Sequence, residues 1–516
     1  MKPEKSGSNS SQNGSVKKLV TGIPGFDLIC EGGLPEGRTT LLSGTAGSAK
    51  TVFAAQFLAE GIQKSEQSGV FITFEESPED IRRNMLGFGW DIAEWEKQKR
   101  WAFVDASTRV DVETVVSGEY DLGALLARIE HAIHTIKAKR VAIDSLGAIF
   151  NQLPNPSLVR SELFRTASAL RRMNVTALMT AERLQEFGEI ARYGVEEFVA
   201  DNVIILRNCL DEERRRRTVE ILKFRGTNHQ KGEYPFTVSP GAGVIVLPLS
   251  AIELKQKSSD VRATSGNIEL DKMCGGGFFR DSIILVSGAT GTGKTLITTQ
   301  FVAGAAEAGE RCLLFAFEES REQLFRNAHG WGHDFGRMER DGHLKVICEY
   351  PEVLGLEDHL IRIKACIEEF QPNRVAIDSL SALERVSTDK WFREFVISVT
   401  SHIKHKEITG LFTATAASLL GGSSVTESHI STITDSIILL RYIEMLGEIR
   451  RGVTVLKMRG SAHEKSIREI IIDHQGMHIG APFRDVIGIL SGSPTHVSSS
   501  ELDRIGGLFA EDELKK

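Results

Sequence analysis

The 516-residue chain lacks several features that would assign it to other protein classes. No apolar run approaches the roughly 20 residues that a membrane-spanning helix needs, and residues 1–16 have no apolar core like that of a secretory signal peptide. Its six cysteines are scattered without a C-x-x-C pair, so buried reduced thiols are favoured over disulfides or zinc ligands. We therefore expect a cytoplasmic protein without a membrane partner.

An excess of positive charge is also missing. The formal net charge is −7 at pH 7, which gives no general attraction to nucleic acid. The one dense basic run, residues 214–217, follows three acidic residues, and we interpret it as a solvated or intersubunit hairpin tip. Nucleic acid is therefore not an expected partner.

The chain contains a phosphate-binding motif twice. Residues 288–295 (GATGTGKT) match the P-loop pattern G-x-x-x-x-G-K-[ST] fully, and residues 44–51 (GTAGSAKT) match it except that Ala49 replaces the last glycine. In such a loop backbone N–H groups surround phosphate oxygens, the lysine meets the β and γ phosphates, and the threonine hydroxyl reaches Mg²⁺. The predicted nucleotide ligands are Gly47, Ser48, Ala49, Lys50, Thr51 and Val52 in the first loop and Thr290, Gly291, Thr292, Gly293, Lys294, Thr295 and Leu296 in the second. We expect the methyl group of Ala49 to restrict the backbone and crowd the phosphates, which leaves the activity of the first site open.

The repeat extends well beyond the loops. Similar blocks recur in the same order in both halves, at residues 22–34 and 266–278, 70–77 and 313–320, 140–146 and 374–380, and 223–226 and 457–460. A repeat of this length is a complete folding unit rather than a solenoid element. We predict a disordered tail at residues 1–17, a first domain at 18–247, a linker at 248–263, a second domain at 264–485, and a C-terminal loop and tail at 486–516.

Short apolar runs alternate with amphipathic stretches in each half. Strands are predicted at residues 39–43, 69–74, 102–104, 141–144 and 176–180, and helices at 122–137 and 161–173. Buried parallel strands that alternate with helices form an α/β sandwich whose ligand lies at the carboxyl ends of the strands. The predicted fold class is therefore α/β, with a mostly parallel central sheet flanked by helices.

Acidic residues follow several of the predicted strands. Asp144 and Asp378 occupy the Walker B position, where a carboxylate helps to hold Mg²⁺ directly or through water. The alternative, a helix N-cap, is weaker because both recur before serine behind the same strand. Two adjacent carboxylates also end a strand in each half, where one of them could orient or deprotonate the attacking group. These candidate catalytic residues are Glu75, Glu76, Glu318 and Glu319.

A lysine and an arginine two residues apart recur in both halves. Lys223 and Arg225 in the first half match Lys457 and Arg459 in the second, and two residues at this spacing share one face of a strand. Such a pair suits cations that reach a neighbouring subunit's γ-phosphate, as an arginine finger does. A charged strand edge is the alternative, but the recurrence favours the functional interpretation and predicts an oligomer.

These blocks, in this order, resemble the RecA-like P-loop NTPases and, over residues 18–495, the KaiC family of circadian clock proteins. The most specific segments are the paired glutamates, residues 192–198 (RYGVEEF) and residues 426–432 (TESHIST). The resemblance implies two tandem RecA-like domains in a double-layered homohexamer, with stacking into a dodecamer as a further option, and ATP between subunits. It also implies a slow ATPase in the first domain, an autokinase and autophosphatase in the second, a timing or stress-signalling role, and a KaiB-like partner.

The resemblance also assigns roles to individual residues. Ser431, Thr432 and Thr426 would be phosphoacceptors, and Arg385 would lie near them. Aligning Lys223 with Lys457 puts Glu197 opposite Ser431 and Phe198 opposite Thr432, so only the second half offers these hydroxyl groups. A helix N-cap or polar turn is the alternative interpretation of Ser431 and Thr432. Mg²⁺ would be held by Thr51, Thr295 and Glu318, and further contacts to the nucleotide would come from Phe224, Thr227, His229, Trp331, Arg451, Met458, Ser461, His463 and Lys465.

The chain departs from the family pattern at two places. Gly87 stands where the family often has a small hydroxyl residue near the first nucleotide. Residues 495–516 do not clearly resemble the segment that recruits KaiA, so a KaiA partner stays uncertain; residues 501–514 have the spacing of a short amphipathic helix or are disordered. The alternative functions are a RecA/RadA-like nucleic-acid-dependent ATPase or recombinase and an ATP-gated scaffold.

Overall fold

A computed structural model describes residues 16–107, 122–147, 156–192, 194, 196–211, 213–248, 258–416, 430–445, 447–483, 486–489 and 495–496. The chain divides into two compact units, Met1–Ala251 and Ile252–Lys516. Each unit is built around one nine-stranded sheet.

The first unit alternates strands and helices as the sequence predicts. Its strands are β1 (Lys18–Leu19), β2 (Leu34–Pro35), β3 (Thr39–Gly44), β4 (Gly69–Thr73), β5 (Trp101–Asp105), β6 (Arg140–Asp144), β7 (Thr176–Glu182), β8 (Asn202–Asp211), β9 (Arg214–Phe224), β10 (Glu233–Ser239) and β11 (Gly243–Val246). Its helices are α1 (Phe26–Ile29), α2 (Lys50–Ser65), α3 (Pro78–Leu86), α4 (Ile92–Lys97), α5 (Leu122–Ile136), α6 (Pro156–Arg172) and α7 (Glu196–Val199).

The sheet of this unit has the order β11-β10-β9-β8-β3-β7-β6-β4-β5. Strands β8 to β5 in that order pair in parallel, whereas β9, β10 and β11 extend the sheet by antiparallel pairing. Every residue of β3 and β4 is buried, as expected for parallel strands covered on both faces. The carboxyl ends of β3, β7, β6 and β4 consequently lie side by side at one edge.

The second unit repeats this arrangement. Its strands are β12 (Arg262–Ala263), β13 (Phe278–Phe279), β14 (Ile283–Gly288), β15 (Cys312–Ala316), β16 (Leu344–Cys348), β17 (Arg374–Asp378), β18 (Thr409–Thr415), β19 (Ser436–Met445), β20 (Glu448–Met458), β21 (Arg468–Asp473), β22 (Gly476–Pro482), β23 (Val486–Ile487) and β24 (Thr495–His496). Its helices are α8 (Ile268–Met273), α9 (Lys294–Glu307), α10 (Arg321–Gly330), α11 (Phe335–Arg340), α12 (Leu356–Phe370), α13 (Leu380–Glu384) and α14 (Asp389–His405), with 3-10 turns at Pro351–Val353 and Ile430–Thr432.

The second sheet has the order β16-β15-β17-β18-β14-β19-β20-β21-β22, which is the order of the first sheet read from the other side. Its first six strands are parallel and the last three are added antiparallel. The prediction of an α/β fold with two tandem, mostly parallel sheets is confirmed.

A buried arginine is the first residue of the Walker B strand in each unit, β6 and β17. The guanidinium of Arg140 donates to the carbonyls of Thr21 (2.9 Å) and Phe57 (2.8 Å), and burial lowers its pKa to about 10. Arg374 likewise donates to two backbone carbonyls, and it also forms an ion pair with Glu310 at 2.6 Å. Each arginine thus ties neighbouring segments to its sheet, and among the described residues Arg374 has a carboxylate within hydrogen-bonding distance whereas Arg140 does not.

Candidate functional site

Each P-loop connects the central strand of its sheet to a long helix. Lys50 begins α2, and its Nζ donates to the carbonyls of Gly44 (3.0 Å) and Thr45 (2.9 Å). Lys294 begins α9 and donates to Gly288 and Ala289 at 2.8 and 3.0 Å. Burial lowers the pKa of both lysines, against the opposing effect of nearby carboxylates. The two P-loop lysines therefore make equivalent hydrogen bonds, although the residue before the lysine is alanine in the first loop and glycine in the second.

Ala49 adopts the backbone conformation that a glycine usually supplies. Its φ and ψ are 69° and 28°, in the left-handed region, and those of Gly293 are 108° and 21°. The Ala49 side chain packs against the hydrophobic core of the first unit. A Cβ at Gly293 would instead lie 2.9 Å from Met477 Cε. The first unit thus has room for a methyl group where the second has a methionine side chain; its effect on phosphate binding stays a prediction.

The Walker B aspartates lie beside the P-loops. Thr180 Oγ1 donates to Asp144, and Thr413 Oγ1 donates to Asp378. Burial raises the pKa of Asp378, against hydrogen bonds from Thr413 and Thr295 that lower it. A carboxylate and a threonine hydroxyl therefore meet in the second unit, and both are hard oxygen ligands of the kind Mg²⁺ takes.

Among the described residues, no group of three or more His, Cys, Asp or Glu is placed to hold a metal. The Asp378 carboxylate and the Thr295 hydroxyl still suit Mg²⁺ at a nucleotide, because that ion keeps several waters and takes one or two protein oxygens together with substrate phosphates. The predicted ligands Thr51, Thr295 and Glu318 stay predictions.

The first glutamate of each pair has a different partner in the two units. Ser145 Oγ donates to Glu75 at 2.9 Å, whereas Arg385 contacts Glu318 at 3.1 Å. The hydroxyl oxygen of Ser379, which corresponds to Ser145, is buried without a hydrogen-bond partner in the described part of the chain. The two sites therefore hold this carboxylate differently, by a neutral hydroxyl in one and a cation in the other.

The second glutamate of each pair has the same surroundings in both units. Asn84 donates to Glu76 at 3.4 Å, and Asn327 donates to Glu319 at 3.2 Å. Loss of hydration raises the pKa of both carboxyl groups, and the neighbouring Walker B aspartate raises it further. A carboxylate with a raised pKa is a suitable proton acceptor, so Glu76 and Glu319 stay candidate catalytic residues.

The predicted trans cations lie away from the P-loop of their own unit. Lys223 is in register with Val203 and hence with Leu41, inside β3, whereas the P-loop follows the end of that strand. Its Nζ donates to the carbonyls of Glu197 and Ala200, both at 2.9 Å.

The arginines repeat one contact in the two units. Arg225 Nη2 donates to the carbonyl of Phe198 at 3.3 Å, and Arg459 Nη2 donates to the carbonyl of Thr432 at 2.9 Å. Thr432 thus stands where Phe198 stands, as the internal alignment predicts. Lys457 in turn donates to the carbonyl of Thr434 at 2.7 Å.

One arginine at the first P-loop was missed by the interpretation of residues 214–217 as a solvated hairpin tip. Arg217 Nε donates to the carbonyl of Gly47 at 3.0 Å, as Arg451 Nε does to Gly291 at 3.1 Å. The sequence held a signal, because the offset that aligns Lys223 with Lys457 also aligns Arg217 with Arg451. Glu182, which ends β7, was also missed; its charge opposes the lowering of the Lys50 pKa.

The remaining predicted ligands occupy varied positions. Phe224 and Met458 are largely buried. The Nδ1 atoms of His229 and His463 are buried without a hydrogen-bond partner within the described ranges. Trp331 caps α10 and packs against the core of its unit, and Gly87 caps α3 at the equivalent position. The structure further puts Thr227 and Ser461 in the turns after β9 and β20, and Lys465, which is exposed, in the irregular stretch after the second turn.

Some predictions fall on residues outside those that the structure describes. These are Thr426, the helix at residues 501–514, and most of the linker. Ser431 and Thr432 lie in the 3-10 turn Ile430–Thr432, and Thr432 is exposed. No helix among the described residues is long and apolar enough to span a membrane.

Comparison with known proteins points to one family. The family model described as a KaiC ATPase matches residues 19–251 and 264–483. The chain is 67% identical over 496 residues to the circadian clock protein KaiC3 of Synechocystis sp., covering 96% of this chain and 98% of that protein. It is 55% identical over 500 residues to the circadian clock oscillator protein KaiC of Thermostichus vulcanus (97% and 96% covered) and 54% identical over 500 residues to that of Synechococcus elongatus (96% and 96% covered).

Proposed function

The chain belongs to the KaiC family of ATPases, and we propose that its second unit also phosphorylates its own chain at Ser431 and Thr432. The prediction of a KaiC-like ATPase is confirmed by the family model and the relatives. No relative reported above is a recombinase, so the alternative of a RecA/RadA-like motor has no support from them. The kinase step and its residues are the proposal.

One observation carries this proposal. The two units repeat the same nucleotide-binding elements, but the residue whose carbonyl accepts a hydrogen bond from the repeated arginine is Phe198 in one and Thr432 in the other. Because Thr432 is exposed, a nucleotide held by a neighbouring subunit can reach it. The hydroxyl group would then lie beside a cation suited to the γ-phosphate, which is the arrangement that phosphoryl transfer needs.

In the proposed reaction, Lys294 and the loop amides hold the phosphates of ATP. Mg²⁺, when bound by Thr295 and the nucleotide with Asp378 nearby, would neutralise charge on the β and γ phosphates. The Thr432 or Ser431 oxygen forms a bond to the γ-phosphorus as the bond from that phosphorus to the bridging oxygen of ADP breaks. The hydroxyl proton passes to a glutamate of the pair Glu318 and Glu319. In the first unit, water replaces the hydroxyl group and ATP is hydrolysed.

The assembly belongs to the same proposal. Cations that lie away from their own P-loop need a second copy of the chain, so we infer a closed ring, a homohexamer by analogy with the family. Relatives named as circadian clock oscillator proteins support a timing role, and the ATPase family model supports ATP as a cofactor. Mg²⁺ as a second cofactor and a KaiB-like partner complete the proposal. The involvement of KaiA is left to experiment.

Phosphopeptide mass spectrometry after incubation with Mg-ATP tests the proposal. We expect phosphate on Ser431 and Thr432 that is lost on prolonged incubation, and at least a tenfold slower appearance in Glu318→Gln or Glu319→Gln, on the scale of general-base contributions. Glu322→Gln, which removes the same charge from an exposed residue of α10, is the matched control. ATP turnover without modification of either residue would reject the kinase proposal and leave an ATPase.

A further inference from the structure

An aspartate before the sixth parallel strand contacts the predicted trans arginine in both units. We propose that Asp201 and Asp435 are positioning residues that direct Arg225 and Arg459 toward the nucleotide of the neighbouring subunit. The inference rests on the proposed function, in which these arginines act in trans. Neither aspartate stood out in the sequence, because each is one polar residue in a loop before an apolar strand.

In the second unit, Asp435 joins three elements. Its Oδ1 lies 3.6 Å from Arg459 Nη1, and its Oδ2 lies 2.7 Å from Lys404 Nζ. The same Oδ2 accepts a hydrogen bond of 2.8 Å from the backbone N–H of Ile283, the first residue of β14. Main-chain bonds reinforce the contact, since Arg459 N donates to the Asp435 carbonyl at 2.9 Å.

The first unit repeats the arrangement with different residues around it. Asp201 Oδ1 lies 3.9 Å from Arg225 Nη1, and its Oδ2 pairs with Arg171 at 2.7 Å. The backbone N–H of Thr39, the first residue of β3, donates to the same carboxylate at 3.4 Å. Arg171 stands in for Lys404 and Thr39 for Ile283, so the aspartate and the arginine are what the two units share.

Burial separates the roles of the two partners. The Asp435 side chain is 17% exposed and that of Arg459 is 54% exposed; the values for Asp201 and Arg225 are 6% and 50%. In both units the carboxylate is much less exposed than the arginine, so it contacts the inner edge of the guanidinium. A guanidinium has five N–H donors, and because half of the arginine side chain is exposed, a phosphate of a second subunit could accept from those that the carboxylate and the carbonyl leave unused.

The surroundings leave the guanidinium room to engage such a ligand. In the second unit, Asp435, Arg459 and Lys404 line a cavity of about 460 Å³, together with Asp281. Asp281 accepts a hydrogen bond of 3.2 Å from the backbone N–H of Ser259 and lines the same cavity, and in the described part of the chain no ion pair joins it to Arg459. It therefore offers a matched carboxylate for comparison.

The same aspartate also links two nucleotide sites. Asp435 binds the first residue of β14, and the other end of β14 leads into the P-loop of its own unit. The arginine that serves the neighbour is thereby fixed relative to the strand that serves the chain's own nucleotide. A carboxylate that only neutralised Lys404 or Arg171 would not need the arginine contact in both units.

The test is a double-mutant cycle in the full-length protein. Asp435→Asn keeps an acceptor for the Ile283 N–H and removes the charge facing Arg459. We expect the rate of Ser431 and Thr432 phosphorylation at saturating Mg-ATP to fall about tenfold with less than a twofold change in KM, because alignment is lost and ground-state binding is not. Asp281→Asn removes the same charge from the same cavity and should change the rate less than twofold.

The cycle distinguishes positioning from a merely structural role. If Asp435 acts through Arg459, Asp435→Asn should add nothing to the loss in Arg459→Ala. Losses that multiply, or a normal rate in Asp435→Asn, would overturn the inference. Asp201→Asn and Arg225→Ala form an independent cycle in the first unit, measured by ATP turnover in a Lys294→Ala background. This second cycle tests the positioning role if Asp435→Asn does not fold or the wild type shows no phosphorylation. Absent phosphorylation would reject the kinase proposal alone.

Discussion

Ala49 and Gly293 occupy the same position of the two P-loops, directly before the lysine. Replacing each with the other's residue should affect the two units unequally. Gly293→Ala introduces a side chain at a left-handed backbone position and brings a Cβ to 2.9 Å from Met477 Cε and 3.3 Å from Ile472 Cδ1. The backbone alone costs about 1–2 kcal/mol for a residue with a Cβ. Displacement of the flexible Met477 adds a smaller amount, so we expect destabilisation of the second P-loop by about 1–3 kcal/mol.

The reverse change, Ala49→Gly, should be nearly neutral. It relieves left-handed strain of about 1 kcal/mol but gives the unfolded chain more freedom, worth about 0.4–1 kcal/mol in the opposite direction. It also removes a methyl group that packs against the core of the first unit. These effects oppose one another, so the net change should be smaller than that of Gly293→Ala.

Native-state hydrogen exchange read by mass spectrometry measures both changes in the full chain, because peptides from α2 and α9 report opening of each P-loop helix separately. Gly293→Ala should lower the opening free energy of α9 and leave α2 unchanged. The steric reasoning would be refuted if α9 were equally protected in the wild type and in Gly293→Ala. It would also be refuted if Ala49→Gly reduced the protection of α2 as much as Gly293→Ala reduces that of α9.

Further predictions concern charge. Arg217→Gln should weaken nucleotide binding at the first site several-fold in fluorescence titrations, whereas Arg216→Gln, which removes a charge paired with Asp211, should not; equal effects would contradict the P-loop role. Glu310→Gln should destabilise the second unit by about 1–3 kcal/mol in urea unfolding, because Arg374 would lose its buried charged partner. Burial lowers the pKa of His402 to about 4, so the unfolded chain binds this proton first and stability should fall between pH 6.5 and 4, by at most about 3 kcal/mol; His402→Gln should flatten that slope.

The sequence was sufficient for the elements whose signals are local or repeated. Strands β3 and β6 were predicted because short β-branched runs carry a P-loop or an aspartate at the end, and the duplication confirmed the order of elements. The antiparallel extension by β10 and β11 was not predicted, because such pairing depends on contacts between strands that no local pattern specifies.

The parts of the site that escaped prediction arise from tertiary contacts. Arg217 meets Gly47 across the sheet edge, and Asp435 meets Arg459 because two strand ends adjoin. The different partners of Glu75 and Glu318 likewise depend on the helix or loop that follows the Walker B strand. The sequence identifies the chemical group that each side chain carries, but the tertiary structure determines which residues that group contacts.

Subunit mixing tests the central claim, a kinase site shared between two copies of the chain, most directly. Lys294→Ala removes the P-loop lysine and Arg459→Ala removes the trans arginine, so each variant alone should phosphorylate Ser431 and Thr432 far more slowly than the wild type. In mixed rings, about a quarter of the interfaces would pair an intact lysine with an intact arginine, and phosphorylation should return in that proportion. Absence of phosphorylation in rings shown to contain both variants would contradict the shared site.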